Sequence, residues 1–313
     1  MALISMATNP WYKVTNLDPN YIEETFKFAK ECGVEAIDFS FHAFLNTNIR
    51  EGFEGYDGFF DKSEEELIEL FRPVKEMSEK YGVAFSQSHA PFPIAVYGED
   101  EDNRKMISII EKCMVVCRFL GCPAIVIHPY VHELKEVQHE VTFFMCRSLI
   151  PMAKRTGVKV CLENVFRRKD GHIFEGNCEK VEEACYFIDT LNEEAGEDLF
   201  GFCFDIGHAT VRGINPYRFV KGLGHRLTLL HLQESDSIND SHMIPFTQIY
   251  EEKPITTGDW EGFLQGLREI GYKGNISFEC GRGILVMPEE VRKEVMCLIT
   301  AIGRYIRNKI SEA

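Results

Sequence analysis

The chain has 313 residues, is 45% hydrophobic and 27% charged, and sets 34 Lys and Arg against 49 Asp and Glu for a formal charge of −15. This balance excludes a disordered or collagen-like chain, and it disfavours nucleic acid, because a duplex-binding face would have to be built against the overall field. The length admits one or two domains, since α/β barrels often exceed about 250 residues as one unit.

No run of roughly 18 apolar residues occurs, so no membrane span is expected. The apolar run at 1–7 has no basic leader and is too short for a signal peptide, which gives the expectation of an untargeted cytoplasmic protein. Eleven cysteines lie in apolar runs such as Val160-Cys161-Leu162 and Phe202-Cys203-Phe204, as reduced core residues do.

In chain order, hydrophobic periodicity predicts strand 3–7, helix 21–32, strand 35–40, helix 64–81, strand 83–88, helix 104–120, strand 124–128 and helix 137–155. Strand 158–163, helix 179–194, strands 201–205 and 227–232, helix 260–270, strand 275–279 and helix 289–308 complete the series. Several helices end at a glycine: Gly33, Gly82, Gly121, Gly157 and Gly271. Eight strands alternating with helices in units of roughly 40 residues predict one parallel (β/α)8 barrel over residues 1–313. A doubly wound sheet would carry a Gly-rich turn after its first strand, where this chain has Thr8-Asn9-Pro10-Trp11. The long irregular stretches 43–62 and 235–257 follow strand C-termini, where a barrel builds its site, and are expected to act as lids or walls.

Polar residues cluster at the predicted strand ends. They are His89, His128, Glu163, Asp205 with His208 just beyond, His231 and Glu279. In a barrel such side chains converge on one face, and several carboxylates buried together need a cation. Carboxylate oxygens mixed with imidazole nitrogens suit Mn²⁺, Zn²⁺, Co²⁺ or Fe²⁺. Arg282 is a candidate for binding a substrate anion at the barrel mouth, and Arg167-Arg168-Lys169 reads either as a second anion site or as a solvated loop. Trp11, Phe41, His42 and Phe92 are candidate pocket walls. Cys113, Cys117 and Cys122 read as helix packing.

The ordered motifs Ser88-His89-Ala90-Pro91, His128-Pro129, Leu162-Glu163-Asn164, Asp205-Ile206-Gly207-His208, His231-Leu232, Asp240-Ser241-His242 and Phe278-Glu279 give the chain a specific likeness. It resembles the sugar phosphate isomerase/epimerase superfamily, the xylose isomerase-like TIM barrels, which also contains the type IV apurinic-site endonucleases. For the sugar enzymes the resemblance implies one metal on Glu163, Asp205, His231 and Glu279, with the two glutamates as acid and base. For the endonucleases it implies five further ligands, His89, His128, His208, Asp240 and His242, all of which are present. The free-ketose 3-epimerases carry a Glu and an Arg where this chain has Lys169 and Ser237. An endonuclease would also need positive charge where Gln233-Glu234-Ser235-Asp236 stands.

The expected activity is therefore a metal-dependent isomerisation or epimerisation of a small carbohydrate through an enediolate. Glu163 and Glu279 would transfer protons, His208 would hold a substrate oxygen, and His89, His128, Arg282 and Trp11 would bind substrate. The alternatives are apurinic-site phosphodiester hydrolysis, a keto-inositol dehydratase, a subunit of a sugar-cleaving complex and a non-catalytic sugar-binding barrel. The expected partner is a small carbohydrate, and the chain is compatible with a homo-oligomer.

Overall fold

The computed structural model describes residues 2–8, 11–47, 49–249 and 256–312. Each predicted barrel strand is present within a residue or two of its expected bounds. They are β1 (Ile4–Ala7), β2 (Ala36–Ser40), β3 (Ala84–His89), β4 (Ala124–Ile127) and β5 (Lys159–Glu163), then β8 (Phe200–Asp205), β9 (Leu227–His231) and β10 (Ile276–Phe278). Between β5 and β8 the chain inserts an antiparallel hairpin of β6 (Val165–Lys169) and β7 (His172–Asn177).

The eight strands pair in parallel in the order β10-β1-β2-β3-β4-β5-β8-β9. The ring closes through a bridge between Leu232 and Phe278, with the Leu232 N–H on Ser277 O at 2.8 Å and the Glu279 N–H on Leu232 O at 3.0 Å. This closure excludes the doubly wound alternative, whose sheet has two open edges.

The predicted helices appear as α1 (Pro19–Glu31), α2 (Glu64–Tyr81), α3 (Asp100–Leu120), α4 (Lys135–Thr156), α5 (Val181–Ala195), α8 (Trp260–Glu269) and α10 (Arg292–Ser311). Three short helices were not expected: α6 (Ile206–Val211), α7 (Pro216–Leu223) and α9 (Gly281–Leu285). Among the described residues, no helix is long and apolar enough to cross a membrane. The eleven cysteines are free thiols, nine of them buried.

Strand period decides what the barrel interior holds. One face of the strands packs Ile4, Met6, Ile37, Phe39, Phe202 and Phe204 into the main core. The other face builds a separate small cluster from Ala124, Val126, Cys161, Cys203 and Leu229. Because side chains alternate, the residue two further along each strand lies on this same inner face. Cys161 is therefore followed there by Glu163, Cys203 by Asp205 and Leu229 by His231. The apolar cluster becomes the floor on which three ionisable strand ends stand.

Candidate active site

Glu163, Asp205, His231 and Glu279 bring one donor atom each to within 4.8 Å of one another, and the first three are buried. His231 sits at their centre. Its Nδ1 is 3.0 Å from Glu163 Oε1 and 3.4 Å from Glu279 Oε2, while its Nε2 lies 3.1 Å from Asp38 Oδ2. Asp38 also accepts from Gln87 Nε2 at 2.9 Å. Asp38 was not among the expected residues, although a carboxylate within the apolar strand Ala36-Ile37-Asp38-Phe39 was a signal.

Asp205 is fixed from two sides. Its Oδ1 caps α6 by accepting from the His208 N–H at 2.7 Å, and its Oδ2 accepts from Gln233 Nε2 at 3.0 Å. The amide of Asn164 ties this strand end to β5, donating to Asp205 O and accepting from the Asp205 N–H, both at 2.9 Å. Gly207 makes room for this packing, since a Cβ there would stand 2.4 Å from Gln233 Cδ.

A second donor set, His89, His128 and Glu163, shares the same glutamate. His128 Nε2 is 3.2 Å and His89 Nε2 3.7 Å from Glu163 Oε2, and the two ring nitrogens are 3.1 Å apart. Glu163 Oε2 is buried and receives no hydrogen bond. An orphaned carboxylate oxygen facing two imidazole nitrogens fits a divalent cation, which takes oxygen and nitrogen donors together.

The remaining expected residues lie alongside. His208 Nε2 is 3.6 Å and His242 Nε2 3.0 Å from Asp240 Oδ2. His89, His208 and His242 follow one pattern. Nδ1 of each is bonded to a backbone carbonyl, that of Ala90, Asn164 and Glu279 respectively, at 2.8 to 2.9 Å. Such a bond fixes the proton on Nδ1 and turns the Nε2 lone pair toward the cluster, as metal-binding histidines require.

The charges are strongly coupled. Burial pushes the Asp205 carboxyl up to about 6. Glu163 falls well below the usual carboxylate range despite burial, because His231, His128 and His89 surround it. Burial works against charge on His208, His231 and His242, yet the neighbouring carboxylates raise all three, His242 to about 9. The carboxylates that raise these imidazoles would equally favour a bound cation in place of their protons.

Two cavities flank the cluster. One of about 320 Å³ is lined by Asp38, His42, His89, His242, Glu279 and Arg282, and another of about 430 Å³ begins at His128. Phe92 borders both, stacked on His42 with ring centroids 4.1 Å apart. Arg282 donates to Asp240 O at 2.8 Å. The structure does not bring every expected residue here. Trp11 donates its indole N–H to Ala7 O at 2.6 Å and lines neither cavity, and Phe41 is core, packed on Phe39 and Phe71.

The stretch 235–257, of which 250–255 lie outside the described residues, carries Asp240 and His242. Glu234 anchors it. Its carboxylate accepts from Trp260 Nε1 and Phe246 N at 2.7 Å, from Gly258 N at 2.9 Å and from Thr257 Oγ1 at 3.0 Å. Glu234 was expected to repel an anionic partner such as nucleic acid, but it is 1% exposed and its carboxylate is taken up by these four bonds. Among the described residues of 42–62 are the 3₁₀ turns His42–Phe44, Ile49–Glu51 and Phe59–Asp61, and Arg50 of the second lines the larger cavity.

Solved structures with this architecture include a 3-keto-D-glucoside 4-epimerase from E. coli, 15% identical, with 98% of this chain and 100% of that chain covered and a TM-score of 0.66. An L-ribulose 3-epimerase is 16% identical over 99% and 95% at 0.68, and a D-tagatose 3-epimerase-like protein is 18% identical over 97% and 98% at 0.63. At such identities the likeness establishes the fold. Among curated proteins there is no significant sequence match. Residues 26–300, which include His89, His128, Glu163, Asp205, His231 and Glu279, match the family described as xylose isomerase-like TIM barrel, and the chain belongs to that family.

Proposed function

We propose that the protein is a divalent-metal-dependent isomerase or epimerase of a small carbohydrate. The observation that carries this reading is the placement of Glu163 and Glu279 about one imidazole, with carboxylate oxygens 3.0 and 3.4 Å from His231 Nδ1. Their strands, β5 and β10, stand three apart around the ring in one direction and five in the other, so the carboxylates approach from different sides. The neighbouring structures named as epimerases of keto sugars support the same reading.

Glu163, Asp205, His231 and Glu279 would hold the cation, which when bound supplies Lewis-acid polarisation of a substrate carbonyl. Glu279 borders the smaller cavity and is the more accessible carboxylate, suited to taking a proton from the carbon beside that carbonyl. Glu163, on the other side, would first take a proton from a substrate hydroxyl or solvent and then give it to the opposite face for epimerisation or to the adjacent carbon for isomerisation, returning to its ionised state. His208 would hold a substrate oxygen, and Arg282, which lines the smaller cavity beside Glu279, would contact the substrate from that side.

The test is exchange of substrate C–H for solvent deuterium by metal-loaded protein over a panel of ketoses, aldoses and their phosphates. Glu163→Gln and Glu279→Gln should each slow exchange by about 10² or more, the usual worth of a positioned acid or base. Wild-type exchange in both variants, with normal metal content, would remove the mechanism.

A second reading, metal-dependent phosphodiester hydrolysis, is favoured by one observation, the convergence of all nine candidate ligands on one face. It predicts cleavage of a duplex containing an abasic site, with affinity falling steeply in salt.

A further inference from the structure

The larger cavity differs in chemistry from the cluster it adjoins. Near His128 its walls are Phe92, Tyr130 and Phe166; its cations are Arg50, Arg167 and Arg168, and none of its described lining residues is acidic. Arg167 is held by the Phe174 ring, 4.6 Å from its guanidinium. Its Nη1 is 3.5 Å from Glu133 Oε1, but Lys169 Nζ is closer to that oxygen at 2.5 Å. One carboxylate thus serves two cations. Arg167 Nε is buried and has no hydrogen-bond partner, an arrangement that folded proteins rarely leave unmet. The Arg168 guanidinium lies 5.8 Å from the Phe166 ring, which packs edge-on against His208 at 5.2 Å.

We infer that this cavity receives an anionic substituent, phosphate or carboxylate, of the carbohydrate whose reacting end lies at the cluster. The inference rests on the carbohydrate reading above. Guanidinium groups match both oxyanions with paired N–H donors, and a cavity free of acids within a chain of charge −15 is selective for an anion. The anion belongs to the substrate itself because His128, which lines the cavity, is 3.2 Å from Glu163 Oε2, so the cavity and the reacting site are contiguous.

Calorimetric titration of the metal-loaded full chain tests this with inorganic phosphate, acetate, D-fructose, D-fructose 6-phosphate and D-fructuronate. One of the charged sugars should bind at least about tenfold more tightly than D-fructose, through charge-assisted hydrogen bonds. The preference should fall below about threefold in an Arg167→Met, Arg168→Met double variant. A phosphate preference over acetate, matched by the 6-phosphate over the uronate, identifies the substituent as phosphate, and the reverse order identifies it as carboxylate. Arg168→Gln alone, at an exposed position, should lower the preference in part, which keeps the test decisive should the double variant fail to fold. Equal affinity for neutral and charged sugars, or a charge preference that survives these substitutions, overturns the inference. If no sugar binds while phosphate or acetate binds in an Arg168-dependent manner, the carbohydrate reading fails and the anion pocket stands; if neither anion nor sugar binds, both are overturned.

Discussion

His231 Nε2 and Asp38 Oδ2 are 3.1 Å apart, and both side chains are almost fully buried, at 1% and 3% exposure. Asp38 sits on β2, opposite the side of the ring from which Glu163 approaches the other ring nitrogen. With a cation bound, the Asp38 carboxylate would keep the proton on Nε2 and leave the Nδ1 lone pair to the metal held with Glu163 and Glu279. A histidine so held is a better metal ligand than a free one, because both its orientation and its basicity are set in advance.

Replacing Asp38 should therefore weaken metal binding without touching a ligand. Asp38→Asn is expected to lower affinity about 10-fold and Asp38→Ala about 100-fold, within the range that outer partners of metal ligands command. Competition against a chelator of known affinity would measure it. Unchanged affinity in Asp38→Ala would show that His231 needs no such partner.

Much of this centre was legible in the sequence because strand period and chemistry coincide there. Glu163, Asp205 and His231 end apolar runs, so the first ionisable residue after each run is the one that the proposed function uses. Asp38 and Gln87 escaped notice because they lie within strands, where only the register of neighbouring strands shows that their polar groups meet. The β6–β7 hairpin had a local signal, Asp170-Gly171, whose φ angles of 50° and 79° form the turn that favours this dipeptide. Its role was hidden because Arg167 meets Phe174 and Glu133 only after folding. Helix α7 was equally marked, by Asn215 capping and Pro216 at the first turn.

Glu234 should matter for positioning as well as stability. Glu234→Ala would strip four donors of their acceptor, and is expected to destabilise the fold by about 2–4 kcal/mol, since bonds to a buried charge exceed neutral ones. It should also loosen the segment bearing Asp240 and His242, so faster amide exchange there would accompany the lower melting temperature. A variant with normal exchange in that segment would confine Glu234 to a local role.

The His242 pair gives the metal-free protein a pH dependence of definite sign. Its folded value of about 9 lies above the unfolded value near 6.5, so the stabilisation is complete below about 6.5 and is lost as pH rises through about 9. The linked stability is at most about 3 kcal/mol. Thermal melting of chelator-treated protein should decline across this window in the wild type and less steeply in His242→Gln. Parallel curves for the two proteins would mean that His242 carries no such linkage.

Glu163 belongs to both donor sets, and this sharing predicts how metal content responds to substitution. The set Glu163, Asp205, His231 and Glu279 has four donors, three of them buried, whereas His89, His128 and Glu163 offer three, with His128 partly exposed. The first should bind a cation more tightly, having more donors and a preset geometry, and the second more weakly. Two carboxylate oxygens on one side chain let Glu163 face each set separately, Oε1 toward His231 and Oε2 toward His128. Titration of chelator-treated protein with Zn²⁺ or Mn²⁺ should then resolve a tight step followed by a weak one. His128→Ala should abolish only the weak step, while Glu163→Ala should remove the weak step and degrade the tight one, because it takes a donor from each set. A wild-type titration with one step, insensitive to His128→Ala, would assign His89 and His128 to the substrate and leave a single cation on the four-donor set.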